Sequence, residues 1–489
     1  MIRFYFIVNI VIGLLVIIAM SDVKAQNFQT EISKLTQRTF YRHANIGVSV
    51  QDVSTSTYLG GTQPDKVMLP ASTLKLITSL SALELLGRDY TFRTQLTYDG
   101  YIDALGILKG NIYIKGGGDP SLGSDRIPGV LDMNTLLSDM ISEIKAAGIK
   151  CVEGSIIADE SIYNAFPVAP SWQWNDLGNY YASGAWGLNI NENQYAIYYK
   201  RDASIGSLAT ISYWKPYIPN LSLSSEVTLD SANTEDNAYI FGGPYHYGKR
   251  IVGTIPQGKS LYKIKGSLPD PPSFLAYHLL KKLDQNDMGG HIYKSVYSGR
   301  VKYSDHKVIK TYLSPPLHEI VRYANDFSIN MYCESMLKIL GHEKRSDGSG
   351  NSGISVVKDF FRQKGLPLAA FNMEDGSGLS ARNLISPSTM TKFLTLYGKN
   401  KSIEEIASVV SPVGERGTVR NMLKSSKAQK NMWLKSGSMD KTLCYAGYAR
   451  TSSGKMVALS VFLNGAIESK SKENKEELEK ILDLIYRLL

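Results

Sequence analysis

The sequence predicts an α+β protein in which the two ends of the chain form one domain around a large β-rich insertion. Helix-like and strand-like segments lie at both ends of the 489-residue chain. From about residue 90 to residue 300, short β-like runs instead alternate with glycine, proline, asparagine and aspartate, which favour turns. A chain of this length is expected to form two to four domains at roughly 150 residues each. We expect residues 26–90 and 305–489 to form a discontinuous domain and residues 91–304 to form the insertion.

The N-terminal elements follow from hydrophobic periodicity. Residues 27–43 are predicted to form a helix, and the alternation of apolar and polar residues over 46–52 is typical of a half-buried strand. Residues 74–86 are apolar on most faces, which predicts a buried helix. Within the insertion, local helices are expected near residues 133–147 and 273–283.

The C-terminal elements complete the outer domain. The helical period returns after Pro315-Pro316. Two strand-like runs, 443–451 and 456–462, are joined by the turn residues 452–455 and predict a β-hairpin. An amphipathic helix over 472–488 ends the chain.

Composition and charge exclude some classes of function. Hydrophobic residues make up 43% and charged residues 20% of the chain, which is the balance of a folded globular protein. The net charge of +9 comes from scattered residues, whereas a nucleic-acid binder concentrates its basic residues in a patch. We therefore expect no nucleic-acid partner. The positive excess favours loose association with an anionic membrane or cell-envelope surface.

The first 25 residues resemble an export signal. Arg3 supplies a positive charge, residues 4–20 are almost wholly apolar, and Val23-Lys24-Ala25 resembles a signal-peptidase site. An uncleaved anchor is the alternative, since this apolar run lies at the lower limit of a membrane span. We expect cleavage before Gln26 and an exported, periplasmic protein.

The cysteines predict neither a disulfide framework nor a metal site. An exported protein with an odd number of cysteines, Cys151, Cys333 and Cys444, retains at least one free thiol. We expect all three to act as small buried hydrophobic residues. Their spacing matches no zinc motif and the chain has no HExxH, so no metal or other cofactor is expected.

The sharpest local signal is the S-x-x-K sequence Ser72-Thr73-Leu74-Lys75 at the start of the predicted buried helix. The spacing places both polar side chains on one helix face. A serine hydroxyl is a poor nucleophile at neutral pH and needs a base, and a lysine becomes a base when burial lowers its pKa. The helix N-terminus also favours developing negative charge. For this motif alone, an ordinary capping serine with a surface-reaching lysine is the alternative.

Two later motifs give the first one a chemical context. They are Ser328-Ile329-Asn330, in a break between helical segments, and Lys435-Ser436-Gly437-Ser438, near the predicted hairpin. In this order the three motifs resemble the active-site set of penicillin-binding proteins and serine β-lactamases. Ser328 would relay a proton to a leaving amine, and Asn330 would bind a substrate amide.

The third motif would bind the anionic part of a substrate. Lys435 supplies positive potential for a carboxylate, and Ser436 can hydrogen-bond the same group. Gly437 lets the strand backbone approach a ligand closely. The backbone N–H groups of Ser72 and Ser438 would form the oxyanion hole.

One further motif is expected to have no function. Residues 253–260 fit the phosphate-loop pattern G-x-x-x-x-G-K-[ST], but that pattern requires a following helix. Residues 261–265 instead alternate like a strand and lead into prolines. A turn between two strands is therefore predicted. The chain also lacks the G-x-S-x-G motif of α/β-hydrolases.

Over nearly the whole mature chain, the sequence resembles the class C low-molecular-mass penicillin-binding proteins, which are D-alanyl-D-alanine carboxypeptidases and endopeptidases. The 252 residues between Lys75 and Ser328 match the long insertion of that family. Five further segments are similar to family motifs: KGGGDP at 115–120, WNDL at 174–177, NINEN at 189–193, DGSGLS at 375–380 and GTVR at 417–420.

The resemblance implies a transpeptidase-like domain of the serine β-lactamase type, with an antiparallel sheet flanked by helices and an insertion of two smaller β-rich domains. It implies that Ser72 attacks the D-Ala-D-Ala bond of peptidoglycan stem peptides and forms an acyl-enzyme, which water hydrolyses. β-Lactams would acylate the same serine. It also implies DD-endopeptidase activity. Asp176 matches an acidic position that receives the ammonium of diaminopimelate, with an ordinary surface aspartate as the alternative.

The motifs depart from the commonest family pattern in three places. The third reads KSG rather than KTG, the second has Ile329 in the middle, and Ala381 separates DGSGLS from Arg382. Two alternative functions remain at this point, a serine β-lactamase and a non-catalytic cell-wall binding protein. The insertion and the lack of a clear deacylation carboxylate motif count against the first. The retention of Ser72, Lys75 and Lys435 counts against the second.

Overall fold

The computed structural model of the chain describes residues 24–164, 166–289, 292–296, 301–466 and 472–489. The apolar segment of the expected export signal and Val23 lie outside the described residues, and Lys24 and Ala25 lie in the first helix. Within the described ranges, no helix is both long enough and apolar enough to cross a membrane.

The helices are distributed along the whole chain. They are α1 (24–36), α2 (Leu74–Leu86), α3 (Met133–Ala146), α4 (Pro271–Asp284), α5 (Leu317–Phe327), α6 (Asn330–Arg345), α7 (Gly350–Gln363), α8 (Pro387–Gly398), α9 (Ile403–Ala407) and α10 (Lys472–Leu488).

The strands are concentrated in the insertion and near the C-terminus. They are β1 (Asn45–Asp52), β2 (Tyr58–Thr62), β3 (Arg93–Tyr98), β4 (Tyr101–Ile102), β5 (Ile107–Lys109), β6 (Ile112–Lys115), β7 (Cys151–Val152), β8 (Ser155–Asp159), β9 (Gln194–Lys200), β10 (Thr210–Lys215), β11 (Ser222–Asp230), β12 (Tyr239–Phe241), β13 (Gly248–Pro256), β14 (Tyr262–Ser267), β15 (Ile292–Val296), β16 (Lys307–Leu313), β17 (Phe371–Asn372), β18 (Leu384–Ile385), β19 (Met432–Met439), β20 (Thr442–Arg450) and β21 (Met456–Asn464).

Both ends of the chain build one antiparallel sheet of strand order β19-β20-β21-β1-β2. Successive residues of a strand point to opposite faces, and here both faces are apolar. On β20, one face carries Cys444, Ala446 and Tyr448, which belong to one buried core. The opposite face carries Leu443 and Tyr445, which belong to a second core.

Helices cover both faces of this sheet. The core on one face includes buried residues of α2, α5, α6, α7 and α8, and the core on the opposite face includes residues of α1 and α10. Helix α2 is buried over ten of its thirteen residues, from Leu74 to Leu83, because it lies inside the helical layer. It ends at Gly87, whose φ of 93° stops the helix.

The insertion contains several small sheets with a core of their own. Their strand orders are β15-β8-β6-β3-β16, β10-β9-β14, β11-β13-β12 and β4-β5-β7. Helices α3 and α4 pack among them, and apolar residues from all of these parts form one buried cluster. Helix α4 begins where Asp270 accepts a hydrogen bond from the Ser273 amide, next to Pro271 and Pro272 in the first turn.

The α+β class, with an antiparallel sheet flanked by helices and a β-rich insertion, is confirmed. The predicted hairpin is β20–β21, with Leu443 opposite Leu463. The phosphate-loop pattern lies in β13 and the turn before β14, as expected for a turn between strands. The helix predicted over 27–43 is observed as α1, which ends at residue 36. Residues 37–43 instead form turns around the 3-10 segment Thr39–Tyr41.

Candidate active site

Ser72 and Lys75 lie side by side at the start of α2. Ser72 is in the 3-10 turn Ala71–Thr73, which leads directly into the helix. The Nζ of Lys75 donates to the Oγ of Ser72 at 2.8 Å. The same ammonium donates to the Oδ1 of Asn330 at 2.6 Å and to the carbonyl of Ser377 at 2.7 Å. Lys75 is therefore held with its nitrogen against the serine hydroxyl.

The environment of Lys75 favours its neutral form. Its side chain is completely buried, and burial lowers its pKa to about 8. The charges of Asp375 and Glu334 oppose this shift without cancelling it. A buried amine with such a pKa is partly deprotonated near neutral pH and can accept the proton of an adjacent serine.

The second motif occupies the break between α5 and α6. Ser328 ends α5 in a left-handed conformation with φ 57°, which separates the two helices. Asn330 is the first residue of α6. Besides accepting from Lys75, its side chain donates to the carbonyl of Tyr181 at 2.7 Å. The break thus directs two polar side chains of adjacent helices to the same place.

The third motif lies on β19, at the edge of the sheet. Lys435 is completely buried, and its Nζ donates to the Oγ of Ser328 at 3.0 Å and to the carbonyl of Ser436 at 2.8 Å. Burial and then the charge of Lys75 lower the pKa of Lys435 well below its usual value. Two buried lysines in one site repel each other, which favours a state in which one is neutral.

Gly437 explains how β19 approaches the serine. A Cβ at this position would lie 2.7 Å from the carbonyl of Pro70 and 2.9 Å from the amide nitrogen of Ser72. Only a glycine allows the strand to pass so close to the turn that carries Ser72. Ser438 follows on the same strand and is exposed, so the two residues expected to supply the oxyanion hole are on facing segments.

A hydroxyl that the sequence analysis did not single out belongs to the same site. The Oγ of Ser436 donates to the Oγ1 of Thr418 at 2.7 Å. Thr418 lies in the 3-10 turn Gly417–Val419, which is part of the GTVR segment. Thr418 therefore adds a second hydroxyl to that of Ser436, which we expect to hydrogen-bond a substrate carboxylate.

The DGSGLS loop is shaped by the buried carboxylate of Asp375. It accepts from the amides of Gly378 at 2.8 Å and Ser380 at 2.6 Å and from the Nδ2 of Asn383 at 2.8 Å. The indole of Trp172, a residue of the insertion, donates to it at 2.8 Å. These bonds fix the loop that presents the Ser377 carbonyl to Lys75.

Asp176 contacts none of the three motifs directly and is linked to the second through Tyr181. It is partly buried, and its Oδ1 accepts from the hydroxyl of Tyr181 at 2.9 Å. Burial raises its pKa. Because the carbonyl of Tyr181 also accepts from Asn330, one residue of the insertion links Asp176 to the catalytic motifs.

Two of the three cysteines are buried, as predicted. Cys333 and Cys444 are buried, whereas Cys151 is half-buried, and all three are free thiols. Cys333 lies on α6 near Lys75, and burial raises its pKa to about 12, so it stays a neutral thiol. Across the described ranges, no group of three or more histidine, cysteine, aspartate or glutamate side chains could hold a metal ion.

The chain is similar in sequence to two known carboxypeptidases. D-alanyl-D-alanine carboxypeptidase DacB of Haemophilus influenzae is 24% identical over 461 residues, which cover 90% of each chain. The D-alanyl-D-alanine carboxypeptidase of Actinomadura sp. (strain R39) is 24% identical over 464 residues, which cover 91% of this chain and 82% of that protein.

The fold is shared with a solved structure. The crystal structure of penicillin binding protein 4 (dacB) from Haemophilus influenzae matches with a TM-score of 0.79 and 23% identity, over 93% of this chain and 98% of the other. A second structure of that protein, complexed with a novel β-lactam, matches with a TM-score of 0.74 and 21% identity, over 93% and 99%.

The family to which the chain belongs is identified from a match over nearly its whole length. The three polar motifs occur in one chain with the expected insertion between the first and the second, and the chain matches a family description over residues 28–484. That range includes all three motifs and the insertion. The chain belongs to the D-Ala-D-Ala carboxypeptidase 3 (S13) family of peptidases.

Proposed function

We propose that this serine-type D-Ala-D-Ala carboxypeptidase acts on peptidoglycan stem peptides through an acyl-enzyme on Ser72. The observation that carries this proposal is the 2.8 Å contact between the Lys75 Nζ and the Ser72 Oγ, made by a lysine whose burial lowers its pKa to about 8. A serine nucleophile needs an adjacent base that is partly deprotonated at the working pH.

Acylation follows from the placement of the polar groups. Neutral Lys75 takes the proton of the Ser72 hydroxyl. At the same time the Ser72 Oγ attacks the carbonyl carbon of the penultimate D-alanine. The amides of Ser72 and Ser438 stabilise the oxyanion. The carbon–nitrogen bond then breaks, and the leaving amino group of D-alanine takes the proton of the Ser328 hydroxyl. The proton that Lys75 took from Ser72 replaces it, so Lys75 is neutral again for the second step.

Substrate binding uses the remaining residues of the motifs. The terminal carboxylate lies against Lys435 and the hydroxyls of Ser436 and Thr418. The two hydroxyl oxygens are 2.7 Å apart. Asn330 binds the peptide amide, and Gly437 leaves room for the peptide beside β19. Water then hydrolyses the ester, again with Lys75 as base, and Ser72 is regenerated.

The experiment that tests this function compares three substrates. The protein is incubated with a D-Ala-D-Ala pentapeptide, with cross-linked muropeptides and with a fluorescent penicillin. D-Alanine release together with a long-lived penicillin adduct supports the proposal. Rapid penicillin turnover without peptide cleavage identifies a β-lactamase, and neither labelling nor cleavage identifies a binding protein.

The pKa of Lys75 predicts how activity depends on pH. Because the deprotonated amine is the base, the second-order rate constant of penicillin acylation should rise with pH and reach half its maximum near pH 8. Below that point it should fall about tenfold per pH unit. Stopped-flow measurement of acylation between pH 5 and 9.5 checks this expectation, and a rate that does not change between pH 6 and 9 would contradict it.

We extend the proposal to DD-endopeptidase activity, with Asp176 as the receptor for the ammonium of a diaminopimelate side chain. Its carboxylate is half-buried and held by Tyr181, whose carbonyl is bound to Asn330. A side chain extending from the bound stem peptide toward Tyr181 would therefore reach an anionic group.

Asp176→Asn tests this role because it removes the charge and keeps the shape. We expect kcat/KM to fall about tenfold for a peptide with a free side-chain ammonium, since one ion pair is lost. For the same peptide with that amine acetylated, the variant should match the unsubstituted protein. Equal losses on both peptides would show that Asp176 only supports the local structure.

The remaining parts of the proposal concern inhibition and location. β-Lactams are expected to acylate Ser72 covalently, because their strained amide would occupy the place of the D-Ala-D-Ala bond. We further propose that residues 1–25 direct export to the periplasm, and that residues 91–304 form an insertion of two small domains in a catalytic domain made of 26–90 and 305–489.

A further inference from the structure

A cleft in the insertion is not used by the catalytic steps above. It has a volume of about 570 Å³ and lies over one face of the sheet β10-β9-β14. Its other wall is formed by the segment from Gly123 to Asn134, around the start of α3. The question is which ligand this cleft fits.

Strand register places basic and aromatic side chains in rows on the cleft face of the sheet. Residues directly opposite one another in antiparallel strands point to the same face. One row contains Tyr213, Tyr198 and Lys263, and the next contains Lys215, Ala196 and Lys265. The small side chain of Ala196 leaves space between two lysines.

The tyrosines form a flat apolar surface beside these charges. The rings of Tyr198 and Tyr213 are stacked, with centroids 4.5 Å apart and an angle of 19° between the planes. Tyr213 is 42% exposed. The Nζ of Lys215 lies 5.4 Å from the centre of the Tyr198 ring. The face therefore offers stacking area and positive charge together.

The three lysines are available for a ligand. Lys215 and Lys263 are exposed and Lys265 is half-buried. Lys265 donates to the side-chain oxygen of Gln194 at 3.3 Å. Among the residues that the structure describes, no carboxylate lies within ion-pair distance of any of the three.

The carboxylates of the cleft are Asp125 and Asp132, on the opposite wall, and Glu192, two residues before β9. Glu192 is paired with Arg126, with 2.8 Å between Oε1 and Nε. Asp132 caps α3 through bonds from the amides of Asn134 and Thr135. The third, Asp125, is exposed. The sheet side of the cleft is thus its basic side.

Two contacts connect the cleft to the segment that carries Ser328 and Asn330. The guanidinium of Arg126 lies 5.3 Å from the centre of the Phe327 ring, and Phe327 is 46% exposed and directly precedes Ser328. The hydroxyl of Tyr332, two residues after Asn330, donates to Glu192 at 3.0 Å. The exposed ring of Phe327 therefore lies between Ser328 and a residue that lines the cleft, Arg126.

We infer that the face defined by Tyr198, Tyr213, Lys215, Lys263 and Lys265 binds a carboxylate-bearing segment of the cell-wall glycopeptide whose stem peptide occupies the catalytic site. This inference rests on the proposed function. The lysines pair with carboxylates of neighbouring stem peptides on the same polymer, and the tyrosine stack supports a sugar ring. The cleft thereby favours polymeric over small substrates.

The test replaces the charges of the face in Lys215→Gln/Lys263→Gln/Lys265→Gln. A matched control, Lys364→Gln/Lys392→Gln/Lys399→Gln, removes the same charge from exposed lysines on α8 and just after α7 and α8, none of which lines the cleft. Each protein is assayed for co-sedimentation with purified peptidoglycan, for D-alanine release from a soluble tripeptide and from polymeric peptidoglycan, and for penicillin acylation.

We expect the cleft variant to bind peptidoglycan and cleave the polymer about tenfold less well, because three charge contacts are lost. Its kcat/KM on the tripeptide and its acylation rate should stay within about twofold of the control. Raising the salt concentration should weaken polymer binding by the unsubstituted protein more than by the cleft variant, since salt screens exposed charges.

Two results would overturn the inference. One is equal polymer binding and cleavage by the cleft variant and the control. The other is lysine-dependent binding to vesicles containing anionic lipid with no such dependence on peptidoglycan, which would assign the face to a membrane surface. Failure of every protein to release D-alanine would instead overturn the proposed function, while co-sedimentation would still decide the role of the cleft.

Discussion

Ser72→Ala should abolish both D-alanine release and covalent binding of penicillin, with a loss of activity of about 10⁴-fold or more. The alanine removes the only atom that can form the ester. The backbone amides and the proposed carboxylate-binding residues Lys435 and Ser436 remain, so the variant should still bind the peptide. Activity is measured as D-alanine release, and adduct formation by the mass of the intact protein after incubation with penicillin.

The fold of this variant is the necessary control. The Ser72 hydroxyl accepts one bond from Lys75, and that ammonium keeps Asn330 and Ser377 as acceptors. Thermal unfolding of Ser72→Ala should therefore be close to that of the unsubstituted protein. Retained D-alanine release by a correctly folded Ser72→Ala protein would exclude Ser72 as the nucleophile.

Lys75→Met should have the second largest effect. Methionine fills a similar volume without a basic nitrogen, so Ser72 loses its base and acylation should slow by about 10³-fold or more. The variant should also lose the rise in rate with an inflection near pH 8. Stopped-flow acylation by a fluorescent penicillin across pH measures both effects.

Lys75→Arg separates charge from basicity at the same position. A guanidinium keeps the positive charge, but it does not deprotonate at these pH values. If Lys75 acts as a base, both variants are slow, whereas a purely electrostatic role would leave Lys75→Arg active. Because either substitution could disturb the bonds to Asn330 and Ser377, unfolding temperatures are measured alongside.

Burial of Lys75 also affects stability. A lysine whose pKa is about 8 in the folded protein has a pKa near 10.4 when unfolded. Between these values the unfolded chain binds more protons, so this group makes folding more favourable as pH rises through that window. At neutral pH the cost of the buried charge is fully present, which is consistent with a residue retained for catalysis.

The sequence made the outer architecture predictable because its local signals were strong. Alternation over 46–52 predicted one strand, and the strand-like runs 443–451 and 456–462 with turn residues between them predicted a hairpin; all three became parts of one sheet. The pairing of β1 with β21 was not predictable, since it joins Val48 to Val461 across the whole insertion. Local periodicity carries no information on such distant partners.

The three motifs could be predicted because catalysis needs particular side chains at fixed spacings. The backbone carbonyls and the long-range contact that complete the site could not be predicted. Lys75 bonds to a backbone carbonyl of Ser377 and Asn330 to that of Tyr181, and any residue type provides a carbonyl. Trp172 meets Asp375 over 203 positions of sequence, a contact that only the folded chain creates.

The residue that carries the acyl group can be identified after reaction with a penicillin. The protein is incubated with a penicillin, quenched in acid and digested, and the modified peptide is sequenced by mass spectrometry. We expect a single adduct on Ser72, and the adduct should form faster at pH 8 than at pH 6. An adduct on another residue, such as Ser328 or Ser436, would contradict it.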